Sequence, residues 1–134
     1  ERVKEKFLRA TPSLRRLREK VERVAQRRWV RGLDQRKIII RHPHAALNTL
    51  LQGAGACVMK KALTLLQEYV INKQIKAFPV VNVHDEFQYE VQEDRADEFG
   101  RLAVQSIIDA GQQLNVRCQL NGEYKIGNNW SETH

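Results

Sequence analysis

With 134 residues, 42% of them apolar and 29% charged, the chain has material for one domain with its own core. It has no run of 18 or more apolar residues, which excludes a membrane-spanning helix, and its opening, ERVKEKFLRA, lacks the apolar stretch of a signal peptide and starts without Met, as an internal start does. The net charge of +7 is uneven: residues 1–41 hold 15 of the 23 Lys and Arg against 5 acids, and the remainder holds 8 against 11.

A basic first third is the electrostatic footprint of a phosphate-backbone binder. The plain alternative is a solvated, salt-bridged helix face, with Glu19–Arg23 as an i,i+4 pair. Residues 1–28 read as two basic helices. Thr11 and Pro12 break the first and restart the second, with Thr11 as N-cap and Pro12 at the first helical position. The second places Leu14, Leu17, Val21 and Val24 on one face. Residues 29–41 read as a hairpin: a strand at Trp29–Arg31, a turn at Gly32–Gln35 and a strand at Lys37–Arg41, ended by Pro43.

Residues 44–70 carry the longest helical periodicity, through Leu47, Leu50, Leu51, Ala54, Val58, Ala62, Leu65 and Leu66. Gly53 and Gly55 interrupt it at about 1 kcal/mol each relative to Ala, which points to close packing or to close approach by something large. Residues 79–91 form a second hairpin. Residues 94–113 form an amphipathic helix capped by Asp94, with Phe99, Leu102, Ala103, Ile107 and Ile108 inward. A last strand at 117–126 and a tail at 127–134 close the chain. The fold class is α+β: a single domain with an antiparallel sheet of hairpins backed by long helices. Cys57 and Cys118 have no metal-ligand spacing and read as buried thiols in a reducing cytoplasm.

The chemistry centres on PVVNVHDEFQYEVQ, residues 79–92, where three consecutive ionisable residues, His84, Asp85 and Glu86, interrupt β sequence. Adjacent strand residues point to opposite faces, but a tight bend can bring both carboxylates to one edge, where a divalent metal balances them. Hard Mg²⁺ takes one or two carboxylates together with phosphate and water oxygens. A polar turn is the plain alternative, yet this bend has neither Gly nor Asn, and its apolar flanks make bare charge costly. Asn48 and Gln52 are an i,i+4 pair of carboxamides suited to base edges or sugar oxygens; polar residues at the rim of the core are the plain alternative. His42 and His44 have metal-like spacing without a third ligand nearby. The stretch GAGACV lacks the third glycine of a dinucleotide fingerprint and lies inside a helix.

Taken together, RHPHAALNTLLQGAGACVMKKAL and VNVHDEFQYEV resemble the C-terminal palm of family A DNA polymerases, over essentially the whole chain and in the same order. The His-Asp-Glu bend resembles that family's motif C. The Asn-x-x-x-Gln-Gly helix resembles the one that packs behind the active site and touches the primer-template minor groove. Within the family, PHAALNTLLQ, RWVRGLD and the ending NWSETH resemble the replicative polymerases of short-tailed (podovirus-type) phages. Many members carry Arg where this chain has His44; the phage subgroup shares the His.

The resemblance implies Asp85 as a ligand of catalytic Mg²⁺, Glu86 as an acidic neighbour of lesser weight, and His84 at the primer 3′ nucleotide. It implies DNA contacts by Asn48, Gln52, His84 and Arg41, with primer-template DNA and deoxynucleoside triphosphates as partners. The family chemistry also uses a second Asp on an earlier strand (motif A) and a fingers helix (motif B), and neither stretch occurs in these residues. The expectation is therefore a polymerase portion that is inactive alone and completed by an N-terminal segment or a separately encoded half, in the cytoplasm (the host's, if phage-encoded). Two other classes stay open. One is a metal-dependent nuclease using His42, His44, Asp85 and Glu86; the other is a non-catalytic DNA-binding module.

Overall fold

The computed structural model describes residues 2–133, which divide into two compact units, one up to Ala54 and one from Gly55 onward. No helix among the described residues is long and apolar enough to cross a membrane.

The first unit begins with α1 (Arg2–Ala10) and α2 (Pro12–Ala25). Thr11 holds the N-cap position of α2, but its hydroxyl donates back to the Phe7 carbonyl at 2.8 Å and caps nothing. α2 stops three residues earlier than the pattern indicates, because Arg28 turns left-handed (φ 63°) and donates its N–H to the Ala25 carbonyl. Glu19 pairs with Arg15 at 2.9 Å, one turn before the expected Arg23, and Arg18 pairs with Glu22 at 2.7 Å. The hairpin β1 (Trp29–Arg31) and β2 (Lys37–Ile39) pairs Val30 with Ile38 on its inner face. Val21, Ala25, Val30, Ile40 and Ala46 form the core of this unit, flanked by Val24, Ile38, Leu47 and Leu50. A 3₁₀ turn at Pro43–Ala45 leads into the long helix α3 (Ala46–Asn72).

The second unit is built on the later turns of α3, the hairpin β3 (Ala77–Val83) and β4 (Glu86–Val91), and α4 (Ala96–Gln113). Leu66, Val70, Ile75, Phe99 and Ala103 are its buried centre, with Ala77, Phe87, Tyr89, Val91 and Leu102 packed around them. A second cluster joins Ala62, Leu65 and Ala110 with Val58, Tyr69 and Ile107. There the Tyr69 hydroxyl donates to Asp109 Oδ2 at 2.5 Å. That hydrogen bond, then burial and the Asp109 charge, push the phenol pKa up to about 12.

Two expectations change here. Asp94 does not cap α4: it lies in a 3₁₀ turn, Glu93–Arg95, and accepts from Gln92 Nε2 at 3.0 Å, while Arg95 holds the N-cap position without a capping bond. Residues 117–126 form no strand, so the sheets are two separate two-stranded ribbons. A strand needs a ladder partner, and this segment is held by side chains along α4 instead. Tyr124 lies over Gly100, where a Cβ would overlap its ring, and donates its hydroxyl to Asp97 at 2.6 Å. Leu120 lies over Gly111, where a Cβ would meet it at 2.9 Å. The thiols also differ from expectation: Cys118 is exposed and Cys57 half-buried, and both are free of disulfides. The tail forms one turn, α5 (Trp130–Thr133), with Glu132 accepting from the Asn128 N–H and the Asn129 amide. The terminal His134 lies outside the described residues.

Candidate active site

The acidic bend is built by β3 and β4. Phe87, Tyr89 and Val91 alternate along β4 and pack into the core, with the Tyr89 ring 4.9 Å from that of Phe99. Burial raises the Tyr89 pKa. Glu86 and Gln88 therefore share the opposite, outer face of β4. Opposite β4, the pairing runs Pro79 with Tyr89, then Val81 with Gln88, so Val80 is an extra residue. Such a bulge reverses the alternation that follows. It leaves Val83 outward with Glu86, where an unbroken strand would turn it toward the core. Phe78 and Val80 are 63% and 61% exposed, and Pro79, lacking an N–H, suits a strand with an open edge.

Val83 pairs with Glu86, which leaves a two-residue loop of His84 and Asp85. His84 is left-handed (φ 53°) and Asp85 is not. A positive φ at the first central position of a two-residue hairpin loop normally takes glycine. Holding a side chain there costs on the order of 1–3 kcal/mol. His84→Gly should accordingly strengthen the hairpin by about 1 kcal/mol, after part of the gain is lost to glycine's greater freedom when unfolded. His84→Val should weaken it. Hydrogen exchange at the Val83 and Glu86 amides measures both, and equal protection in the two variants would contradict a strained loop.

His84 and Asp85 are exposed, and the Asp85 carboxylate has no hydrogen bond or ion pair among the described residues. The apolar flanks thus do not desolvate it: Val80 and Val83 face outward, and Phe87 packs into the core. Glu86 is half-buried and accepts from Gln88 Nε2 at 2.5 Å, which orients one carboxylate oxygen. The pair differs in role: Asp85 presents a free hard-oxygen donor, and Glu86 is a carboxylate already held. This donor set fits a hard divalent cation that keeps most of its waters. Among the described residues no three His, Cys, Asp or Glu side chains gather to hold a metal ion, as the nuclease alternative would need.

In the first unit, Leu47 and Leu50 take the inner side of α3, and Asn48 and Gln52 are exposed one turn apart. Neither amide makes a hydrogen bond among the described residues, so both keep their donors for a ligand. Arg41 is exposed before the 3₁₀ turn, and the His42 and His44 rings stack beside it at 5.5 Å. Of the two glycines, Gly53 is a packing position, where a Cβ would meet Ile38 Cδ1 at 3.2 Å, whereas Gly55 faces open space. Sequence reasoning missed Gln88 as the partner of Glu86 and the left-handed His84. Their signals were the i,i+2 spacing on a strand and a two-residue loop without glycine.

Comparison with known proteins identifies the family. Residues 2–132 match the family model "DNA polymerase family A". The DNA-directed DNA polymerases of Enterobacteria phage T3 and Escherichia phage T7 are each 35% identical to the chain, over 98% of it and 22% of their own length. The chain therefore spans about a fifth of these curated relatives. DNA polymerase I of Bacillus subtilis is 29% identical over 78% of the chain. Among solved structures, the POL domain of Pol1 from M. smegmatis, in complex with DNA primer-template and dNTP, superposes with a TM-score of 0.72 over 79% of this chain and 21% of that one, at 20% identity.

Proposed function

The chain belongs to DNA polymerase family A, and we infer that it is the C-terminal palm portion of a template-directed DNA polymerase, the part that meets the primer terminus. The observation that carries this reading is the unpartnered, exposed Asp85 carboxylate at a strained two-residue bend. Asp85 and Glu86 would hold Mg²⁺, which, when bound, supplies activation of the primer 3′ hydroxyl and charge stabilisation at the leaving pyrophosphate. Asp85 contributes the free oxygens. Glu86 adds negative charge in an orientation fixed by Gln88. His84 reaches the 3′-terminal nucleotide.

Asn48 and Gln52 donate to the N3 and O2 acceptors that every base pair shows in the minor groove, so they test base-pair geometry without reading sequence. Arg41 neutralises backbone phosphate. The deoxynucleoside triphosphate and a second metal-binding carboxylate are assigned to polymerase residues beyond these 134, and the setting is the cytoplasm.

A primer-extension assay with Mg²⁺ and all four deoxynucleotides tests this. The 134-residue chain alone should make no product, because one acidic bend holds metal weakly. Orientation of the triphosphate is assigned to the fingers helix of the preceding region, and lost orientation alone is worth roughly 7–11 kcal/mol of barrier. The same chain joined to the preceding polymerase region should extend the primer. Extension by the short chain, or none by the joined protein, would sink the reading.

A further inference from the structure

The β1–β2 ribbon has an outer face that its fold leaves unexplained. Its register is Trp29 with Ile39, Val30 with Ile38 and Arg31 with Lys37. Alternation sends Val30 and Ile38 into the core of the first unit, and Trp29, Ile39, Arg31 and Lys37 to the other side. An antiparallel ribbon with one solvated face normally carries polar residues there. Here Ile39 is 79% exposed and Trp29 is only partly covered, with Lys37 Nζ 5.0 Å from the Trp29 ring centre.

The surrounding charge has one sign. Arg27, Arg28, Arg31, Lys37 and Arg41 are all exposed on or beside the ribbon, and the nearby acid, Asp34, is engaged by Arg36. Arg31 spends one N–H on the Gln35 carbonyl at 3.2 Å and keeps its other donors.

We propose that this outer face is a platform for an unpaired DNA strand, with a base stacked on Trp29 beside Ile39 and the flanking phosphates on Arg31 and Lys37. An indole with an apolar neighbour inside a basic field is the composition that binds single strands, since every base offers a π-face and every nucleotide a charge. A duplex hides those faces within its own stack, so the ribbon should favour single strands. The polymerase reading enters only in identifying the strand as template that has not yet been copied.

The test uses the full 134-residue chain with Trp130→Phe, which leaves Trp29 as the sole indole. A short oligothymidylate should quench Trp29 fluorescence, and a blunt duplex of the same length should do so far less. Trp29→Leu keeps an apolar side chain without the indole; it should remain folded by circular dichroism and lower oligothymidylate affinity, read by anisotropy of a labelled strand, by about tenfold. Arg31→Ala and Lys37→Ala should each reduce the log–log salt slope by about 0.7. Lys125→Ala, at an exposed position given no DNA contact, should leave the quench unchanged. Quenching that persists where the joined protein fails to extend primers would keep this platform and remove the polymerase reading. Binding without quenching, equal quenching by blunt duplex, or preference for phosphatidylserine vesicles would overturn the platform.

Discussion

Replacing Asp85 with Asn in a family A polymerase that carries this chain should lower primer extension about a thousandfold or more, with DNA affinity changed by less than about twofold. The first figure follows from losing several kcal/mol of metal-borne charge stabilisation, at 1.36 kcal/mol per tenfold in rate. The second follows because affinity for the duplex is set by basic groups on phosphates and not by a carboxylate. Asn keeps the size of Asp and changes only the donor, so the exposed loop keeps its shape. Among the described residues Asp85 has no partner that the change would strand. Glu86→Gln should do less damage: Glu86 is held by Gln88, and an amide in its place retains an oxygen to accept that bond. Single-turnover extension with saturating Mg²⁺ separates chemistry from binding. An Asp85→Asn enzyme with nearly unaltered single-turnover rates would remove Asp85 from the metal site.

Duplex DNA binding by the 134-residue chain should collapse with salt. If five phosphates are neutralised, at a log–log slope of about −0.9 each, affinity falls roughly 500-fold between about 50 and 200 mM salt. The cause is the concentration of 15 Lys and Arg in residues 1–41. The exposed Arg15–Glu19 pair does not remove this charge, because helix pairs one turn apart at the surface are worth only about 0.3–0.5 kcal/mol and yield readily to phosphate. Sequence preference should be slight, since minor-groove acceptors hardly distinguish the base pairs. Affinity unchanged across that range, or a strong preference for one sequence, would count against a phosphate-led interface.

Most helices and both hairpins, and the His-Asp-Glu triplet at the bend, were legible in local sequence. Local signals sufficed for α3, through its long apolar period, and for the β3–β4 hairpin, where the alternation of Phe87, Tyr89 and Val91 matches their packing on the core. The His-Asp-Glu triplet and the Asn48–Gln52 spacing were legible for the same reason: each is a relation between residues a few positions apart on one element.

Relations between elements were settled only in three dimensions. Residues 117–126 have the composition of a strand, but a ladder partner is a tertiary fact, and α4 offers Gly100 and Gly111 as notches for Tyr124 and Leu120 instead. The α4 cap moved from Asp94 because a 3₁₀ turn places that side chain toward Gln92. The bulge at Val80 turned apolar residues outward, and with them the expectation that they would desolvate Asp85. His84 took a left-handed backbone, uncommon for any residue with a side chain although His adopts it more readily than most, because closing Val83 onto Glu86 in two residues favours a positive φ, and the chain places an imidazole there rather than glycine.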